Sequence, residues 1–323
     1  MCGIIYYKSF TGKTVNRQVL KHYLKQKGRG YKGFGFVSIS RKRILTCRAT
    51  KENGIRFYLK RYPLAEILFH HRLPTSTTNT IRTTHPIAIS QPVYRHKYYL
   101  IHNGIIQNAS ELKVKHEVMG IDYVTPQWSE YSNFWGSAEE RYEFNDSEAL
   151  AHEVALFLDG KHDKIETQGD VAFICLETDR NGHALRLHFA RNNGAPLEMK
   201  RTHECMVIAS ENVSEQDIPP HKLYTYDYRT QCIDQREIEL PEYELLSSFT
   251  FHPHDIQWDP FNEMELEIQE CESKLQQIEQ TQFRASARGD IVKYQRLQRK
   301  KEQLEKRIQD LYEEWYSLER GIW

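Results

Sequence analysis

Several features that would place a sequence in a common functional class are missing from this one. Its 44 basic and 44 acidic side chains cancel, so no charge excess indicates nucleic acid or an anionic membrane as the main partner. The six cysteines form no CxxC pair, which argues against a zinc site. We therefore expect no metal ion or other cofactor.

Long apolar segments are absent as well. No run of apolar residues is long enough to span a bilayer, and no signal peptide is evident at the start of the chain. The expected compartment is therefore the cytoplasm, where thiols stay reduced. The length of 323 residues is enough for two domains, and the mean hydropathy of −0.69 indicates that part of the chain is solvated helix.

The chemistry that is present begins at the second residue. Removal of Met1 would make Cys2 the N-terminal residue, with a thiol and a free α-amine on one backbone unit. An α-amine has a pKa near ~8 and can act as a base for a thiol nucleophile at neutral pH. Most chains with cysteine at position 2 lack this chemistry, so the rest of the chain must supply a substrate pocket and an oxyanion hole.

Short β-strand patterns joined by turns dominate residues 3–210, with few long helical patterns between them. This arrangement predicts an α+β fold of packed antiparallel sheets with helices on the outer faces. Helical spacing occurs at 15–27, from residue 109 onward, and again from residue 146. The predicted strands are residues 3–8, 36–40, 43–47, 55–60, 66–72, 97–101, 169–176, 185–191 and 204–210.

Two arginines are candidates for positions beside the nucleophile. Arg29 lies in a segment with four glycines in eight residues, which is either a flexible turn or a backbone that presents Arg29 to the site. Arg72 ends an apolar strand, where its planar guanidinium could clamp a carboxylate. A structural salt bridge is the alternative for Arg72.

Two further segments carry polar groups next to predicted elements. Asn103-Gly104 is either a simple turn or a pair of donors, the Asn103 amide and the Gly104 N–H, that converge as an oxyanion hole. Asn145 and Glu148 fit a capping box at the start of a helix. Asp146, between them, is either a first-turn acid near the helix dipole or an anion that binds a substrate ammonium.

The sequence changes character in its last third. Residues 120–140 are read as an irregular surface excursion, and residues 216–260 as an irregular connecting segment with weak strands at 224–228 and 237–240. Residues 261–323 carry apolar side chains at spacings of three and four with charged flanks. An antiparallel helical hairpin is the first interpretation, a dimerising coiled coil the second and one interrupted helix the third.

Nine short motifs occur in order along residues 2–215. They are Cys2-Gly3-Ile4, Arg29-Gly30-Tyr31, His70-x-Arg72-x-x-Thr75, His85-Pro86, His102-Asn103-Gly104-Ile105-Ile106-x-Asn108, Asp146-x-Glu148, Gly169-Asp170, Ala190-Arg191-x-x-x-x-Pro196-Leu197 and Ala209-Ser210-Glu211. In these motifs and their order the sequence resembles class II glutamine amidotransferases, the N-terminal-nucleophile type. It is most similar to the glutaminase half of glucosamine-phosphate synthase.

The resemblance implies a four-layer αββα fold and hydrolysis of the side-chain amide of L-glutamine. By position, Cys2 would be the nucleophile, forming a thioester with the substrate. The side chain of Asn103 and the N–H of Gly104 would form the oxyanion hole.

The same resemblance implies a binding set for the amino-acid part of glutamine. Arg72 would hold the α-carboxylate and Asp146 the α-ammonium, while Thr75 would line the pocket. Arg29 and His102 would be supporting residues.

The chain also departs from the family pattern. Leu73 replaces an aromatic residue, Ser76 replaces a histidine, and Lys32 replaces an aspartate. No P-loop or nucleotide motif follows residue 215, although family enzymes carry a domain that uses the ammonia. The resemblance therefore implies an ammonia-using partner on another chain, docked by residues 261–323, with a homo-oligomer as a further possibility.

Two other functions remain open from the residues alone. One is an N-terminal-cysteine amidohydrolase for a different amide, against which the pairing of Arg72 with Asp146 argues. The other is a non-catalytic relative that keeps the fold as a binding or regulatory module.

Overall fold

The computed structural model describes residues 2–12, 16–40, 44–52, 64–74, 77–132, 138–214 and 217–242, and isolated positions within 55–59 and 275–309. Side chains are not described for Lys27, 129–132 and 138–141. The chain divides into two compact units, Met1–Glu244 and Leu245–Trp323. Among the described residues, none of the helices has the length and apolar content that a membrane crossing requires.

The first unit contains fourteen described strands and three described α-helices. The strands are β1 (Gly3–Ser9), β2 (Gly33–Ile39), β3 (Ile44–Ala49), β4 (Glu66–Arg72), β5 (Ile87–Ile89), β6 (Lys97–Ile106), β7 (Gln127–Ser132), β8 (Ala138–Glu143), β9 (Gly169–Thr178), β10 (Ala184–Arg191), β11 (Glu198–Arg201), β12 (Cys205–Ala209), β13 (Lys222–Asp227) and β14 (Ile233–Glu237). The helices are α1 (Asn16–Gln26), α2 (Ala109–Val118) and α3 (Asp146–Leu158), and Lys27–Arg29 forms a 3₁₀ turn.

These strands form two six-stranded sheets and one separate hairpin. The first sheet has the order β11-β12-β1-β4-β2-β3 and the second β14-β13-β10-β9-β6-β5, while β7 pairs only with β8. Neighbouring strands are antiparallel in every described pair. The predicted antiparallel architecture is therefore confirmed, and β1 and β6 both lie inside their sheets with a neighbour on each side.

The two faces of β1 show how the layers are built, because alternate side chains of a strand point to opposite faces. Ile4 and Tyr6 pack into the core between the sheets, which includes Ile101 of β6 and Phe189 of β10. Ile5 packs into an outer core under α1. A third core joins the outer face of the second sheet to α2 and α3. The order of layers is helix, sheet, sheet, helix, as expected.

Three local predictions differ from the structure. Residues 55–60 were expected to be a strand, but the described positions Ile55 and Leu59 are helical, in agreement with their i, i+4 spacing. The 120–140 excursion contains the β7–β8 hairpin. Asn103-Gly104 is not a turn, because β6 continues to Ile106 and pairs with β9 throughout.

The second sheet also extends past residue 215, where the sequence indicated an irregular connecting segment. β13 pairs with β10, and β14 pairs with β13, so the chain adds two strands to the sheet edge. The second of these strands lies at 233–237 instead of the expected 237–240. Its side chains are mostly exposed and polar, which explains why the sequence pattern for this edge strand was weak.

Most of residues 261–323 lies outside the described residues. The positions that are described between 275 and 309 are helical. Gln282 Nε2 donates a hydrogen bond to Gln298 Oε1 at 2.9 Å. The hairpin or coiled-coil arrangement of this segment stays a prediction.

Candidate active site

Cys2 directly precedes β1, in the middle of the first sheet. The pairing of Gly3 with His71 places Cys2 beside the end of β4. The Leu73 N–H donates to Cys2 Sγ at 3.4 Å, and the thiol faces the Leu73 carbonyl oxygen at 3.5 Å. Burial raises the pKa of the Cys2 thiol, although the Leu73 hydrogen bond and the nearby Arg72 charge act in the opposite direction. A base is therefore needed to form thiolate at neutral pH.

Arg29 contacts the backbone of Cys2. Its Nε donates to the Cys2 carbonyl oxygen at 3.1 Å, and its Nη1 forms an ion pair with Glu211 at 2.6 Å. The glycine that follows is required by close packing, because a Cβ on Gly30 would lie 2.6 Å from the His71 carbonyl oxygen. Of the two interpretations of this segment, the structure supports a backbone that presents Arg29 to Cys2.

Arg72, the last residue of β4, is nearly fully buried. Its guanidinium donates to the carbonyl oxygens of Thr78 at 3.3 Å and Thr77 at 3.4 Å, to the Asn79 amide oxygen at 3.4 Å and to the Thr77 hydroxyl. Burial lowers the pKa of Arg72, while Cys2, Asp146 and Glu143 favour its charged form. These four acceptors are neutral groups, and together they engage both Nη1 and Nη2 of the guanidinium.

Asn103 and Gly104 lie in β6 of the second sheet. Gly104 has φ of 143°, and a Cβ at this position would clash with the Asp170 carbonyl oxygen across the strand pair. Asn103 is fully buried, and among the described residues neither its amide nitrogen nor its amide oxygen has a hydrogen-bond partner. A buried amide without a partner costs about 1–3 kcal/mol, which a ligand that accepts from it would offset.

Asp146 begins α3, close to Gly104 in the same cleft. Its Oδ2 accepts from the Ile106 N–H at 2.8 Å, and its Oδ1 accepts from the Ser147 N–H at 2.9 Å. The predicted cap at Asn145 is confirmed by its hydrogen bond from the Ser147 N–H. Glu148 does not complete the capping box, because its carboxylate accepts from the N–H groups of Val124 and Thr125.

Three buried histidines lie next to this cleft. His102 donates from Nε2 to the Asp170 carbonyl oxygen at 3.2 Å and accepts from the Ser147 hydroxyl at Nδ1. His70 stacks on His85 with ring centroids 3.9 Å apart. Both ring nitrogens of His85 are buried, and neither has a hydrogen-bond partner in the part of the chain that the structure describes. Burial lowers the pKa of all three imidazoles, so they are neutral at pH 7.

The structure brings most of the predicted site residues into one cleft. Asn103 and Arg29 are not among the residues that line it, and Thr75 lies outside the described residues. Sequence reasoning had given no role to the Leu73 backbone or to His85, Ser147 and Glu211. The contacts of Leu73 with Cys2, of Ser147 with His102 and of Glu211 with Arg29 join residues far apart in the chain. Among the described residues no group of side chains is arranged to hold a metal ion. The cleft is lined by Cys2, Arg72, Leu73, His85, His102, Gly104, Asn145, Asp146 and Ser147.

Solved structures share this fold. One is a glutamine phosphoribosylpyrophosphate amidotransferase from B. subtilis, with 16% identity over 74% of this chain and a TM-score of 0.51. Another, described as the allosteric regulatory enzyme of purine biosynthesis, has 18% identity over 75% of this chain and a TM-score of 0.55. The chain spans half the length of each. No protein-family model and no curated protein sequence matches.

The comparison therefore shows that this chain shares its fold with about half of each of these two chains. A class II glutamine aminotransferase domain protein from Silicibacter pomeroyi also matches, with 13% identity and a TM-score of 0.42. The finer similarity to glucosamine-phosphate synthase remains an expectation from the sequence.

Proposed function

We propose that the protein is a class II glutamine amidotransferase that hydrolyses the side-chain amide of L-glutamine through a thioester at Cys2. The observation that carries this proposal is one cleft lined by Cys2, Arg72, Gly104 and Asp146, contributed by both sheets and by α3. A free amino acid needs one cation and one anion for its own charged groups. Arg72 and Asp146 supply that pair next to a thiol.

The proposed reaction uses the α-amine that Met1 removal would free. This amine takes the Cys2 thiol proton, and the thiolate attacks the amide carbon of glutamine. The carbon–nitrogen bond then breaks, the nitrogen takes the proton back from the α-ammonium, and ammonia leaves a thioester. Water, deprotonated by the same amine, attacks the thioester, and the carbon–sulfur bond breaks. The sulfur takes the proton back from the α-ammonium, and the new carboxylic acid loses its proton to solvent, which gives glutamate and the free thiol.

The oxyanion of each tetrahedral intermediate needs hydrogen-bond donors. We assign this role to the Gly104 N–H and the Asn103 side-chain amide, which is buried without a partner in the described structure. Preorganised donors of this kind act strongly in a buried site, and removal of one costs about 10²–10³ in rate. Arg29 supports the nucleophile through the Cys2 carbonyl oxygen.

The acceptor of the ammonia is proposed to be an enzyme on another chain. Residues 261–323 support this proposal, because their apolar side chains at spacings of three and four with charged flanks are typical of helices that associate with a partner. Residues 261–323 are the proposed docking segment. Whether glutamine hydrolysis is constitutive or depends on that partner is a question for the assay below.

The test is release of glutamate from L-glutamine by protein with Met1 removal confirmed by mass spectrometry. The wild type and Cys232→Ala, whose thiol is exposed, should release glutamate, whereas Cys2→Ala should not. If the wild type is silent, an electrophilic glutamine analogue separates the remaining cases. Labelling at Cys2 supports an active pocket that requires a partner; no labelling, or retention of Met1, contradicts the catalytic proposal and favours a non-catalytic module.

A further inference from the structure

The β7–β8 hairpin belongs to neither main sheet, yet it contacts the segment that surrounds Arg72. Gln127, the first residue of β7, lies opposite Glu143, the last residue of β8. Glu143 is only 5% exposed. A carboxylate that is nearly buried must have hydrogen-bond donors around it, and the donors here come from outside the hairpin as well as from within it.

Thr78 provides the contact between the hairpin and the Arg72 segment. Glu143 Oε1 accepts from the Thr78 N–H at 2.8 Å and from the Thr78 hydroxyl. Gln127 Nε2 donates to the same carboxylate oxygen at 2.7 Å and to the Thr78 hydroxyl at 2.7 Å. Gln127 Oε1 accepts from the Thr80 hydroxyl at 2.9 Å. The hairpin therefore fixes the backbone of Thr78 with charge-assisted hydrogen bonds.

The Thr78 backbone in turn contacts the guanidinium. Its carbonyl oxygen accepts from Arg72 Nη1 at 3.3 Å, while its N–H is held by Glu143. Both backbone polar groups of Thr78 are thus in hydrogen bonds. The N–H is bonded to Glu143 of the hairpin, and the carbonyl oxygen is bonded to Arg72, the candidate carboxylate clamp. The Glu143 charge also favours the protonated form of Arg72. A long, rotamer-rich arginine needs such fixed acceptors if its fork is to be preorganised for a ligand.

We propose that Glu143 is a positioning residue for substrate recognition, which acts through Thr78 to hold Arg72 for the α-carboxylate of the substrate. The inference rests on the proposed glutaminase function and adds a specificity role for the hairpin. Glu143 does not touch the cleft, whose described lining excludes it. Its loss should therefore weaken recognition of the amino-acid group and leave the reactivity of the Cys2 thiol unchanged.

The test compares two reagents on the same cysteine. An electrophilic glutamine analogue needs the α-carboxylate clamp to reach Cys2, whereas iodoacetamide needs only the thiol. In Glu143→Gln we expect the analogue to label Cys2 about tenfold more slowly, with iodoacetamide alkylation within about twofold of wild type. Where turnover is measurable, KM for glutamine should rise by a similar factor while kcat changes little.

Two further variants keep the test decisive. Thr78→Val removes the hydroxyl contact but keeps the backbone N–H, so it should shift analogue labelling in the same direction by a smaller factor even if Glu143→Gln fails to fold. Glu204→Gln, on an exposed turn, is the matched control and should behave as wild type.

The remaining outcomes contradict either the positioning role of Glu143 or the glutaminase proposal itself. Analogue labelling at the wild-type rate in both Glu143→Gln and Thr78→Val would overturn the positioning role while leaving the glutaminase proposal intact. Equal slowing of both reagents would show a general disturbance of the site and would also overturn it. A wild-type protein that the analogue does not label would contradict the glutaminase proposal, and the inference with it.

Discussion

The Nε of Arg29 donates a hydrogen bond to the carbonyl oxygen of Cys2, and the same guanidinium is held by Glu211. Cys2 is therefore held through its backbone by a charged donor from a segment 27 residues away. This contact needs no part of the substrate, so it acts on the position of the thiol and of the α-amine.

Arg29→Gln should lower kcat more than it raises KM. A hydrogen bond from a charged donor contributes about 1.5–3 kcal/mol, so we expect a loss of about tenfold or more in kcat. Steady-state glutaminase kinetics measure the split, with Arg229→Gln on an exposed turn as the control. An unchanged kcat in Arg29→Gln would remove Arg29 from the set of residues that support the nucleophile.

Arg72→Lys should affect substrate recognition. Lysine keeps the charge but loses the planar fork that binds both oxygens of a carboxylate. We expect KM for glutamine to rise by about tenfold to a hundredfold, with iodoacetamide alkylation of Cys2 unchanged. Because Arg72 is buried, thermal denaturation should be measured beside the kinetics to show that Arg72→Lys is folded. A folded variant with the wild-type KM would contradict the role of Arg72 as the carboxylate clamp.

Gly104→Ala should destabilise the protein. The φ of 143° is rarely adopted by residues with a Cβ, and the added methyl group would clash with the Asp170 carbonyl oxygen. We expect a loss of at least about 2 kcal/mol, measured as a fall of several degrees in Tm. Gly28→Ala is the control, because a Cβ there meets no atom within 4 Å. Equal Tm values for the two variants would show that β6 tolerates a side chain at this position.

Stability should fall as the pH is lowered from about 7 to about 5. His70 and His85 have pKa values well below 6.5 in the folded protein, because burial and the positive charge of Arg72 oppose protonation. The unfolded chain, with histidine pKa values near ~6.5, binds more protons in this range, so acid favours unfolding. Burial also lowers the pKa of the neighbouring His102.

Urea denaturation at a series of pH values measures this slope. His85→Gln removes one titrating group and should flatten the slope between about pH 6.5 and 5, by up to about 1.4 kcal/mol per pH unit for one proton. His203→Gln, with a side chain that is 91% exposed, should leave it unchanged. A slope that is the same in wild type and His85→Gln would show that His85 is not buried neutral in the folded state.

Residue patterns along the chain predicted β1 and the start of α3, because the signals for both lie in neighbouring residues. The β-branched and aromatic residues Ile4, Ile5, Tyr6 and Tyr7 predict a strand, and the structure buries both of its faces. The start of α3 was predicted from Asn145 as its cap. The β7–β8 hairpin was missed, since its aromatic and acidic residues give no clear alternation with a buried face.

The sequence predicted which site residues lie together but left the backbone conformation of one motif open. Cys2, Arg72, Gly104 and Asp146 were expected together on the strength of the motif order, and they line one cleft. The sequence left Asn103-Gly104 open as a simple turn or a pair of converging donors, because Asn-Gly is a common hairpin signal. Pairing with β9 excludes the turn, since β6 extends to Ile106.

The sequence by itself determined the nucleophile candidate, the charged pair that fits a free amino acid, and the antiparallel, layered fold. Only the tertiary structure decided which groups surround that chemistry. Glu143 reaches Thr78 across 65 residues, and Arg29 reaches Glu211 across 182. The absence of a hydrogen-bond partner at His85 is likewise a property of its surroundings. Such contacts depend on how distant segments pack, and residue spacing along the chain carries no signal for them.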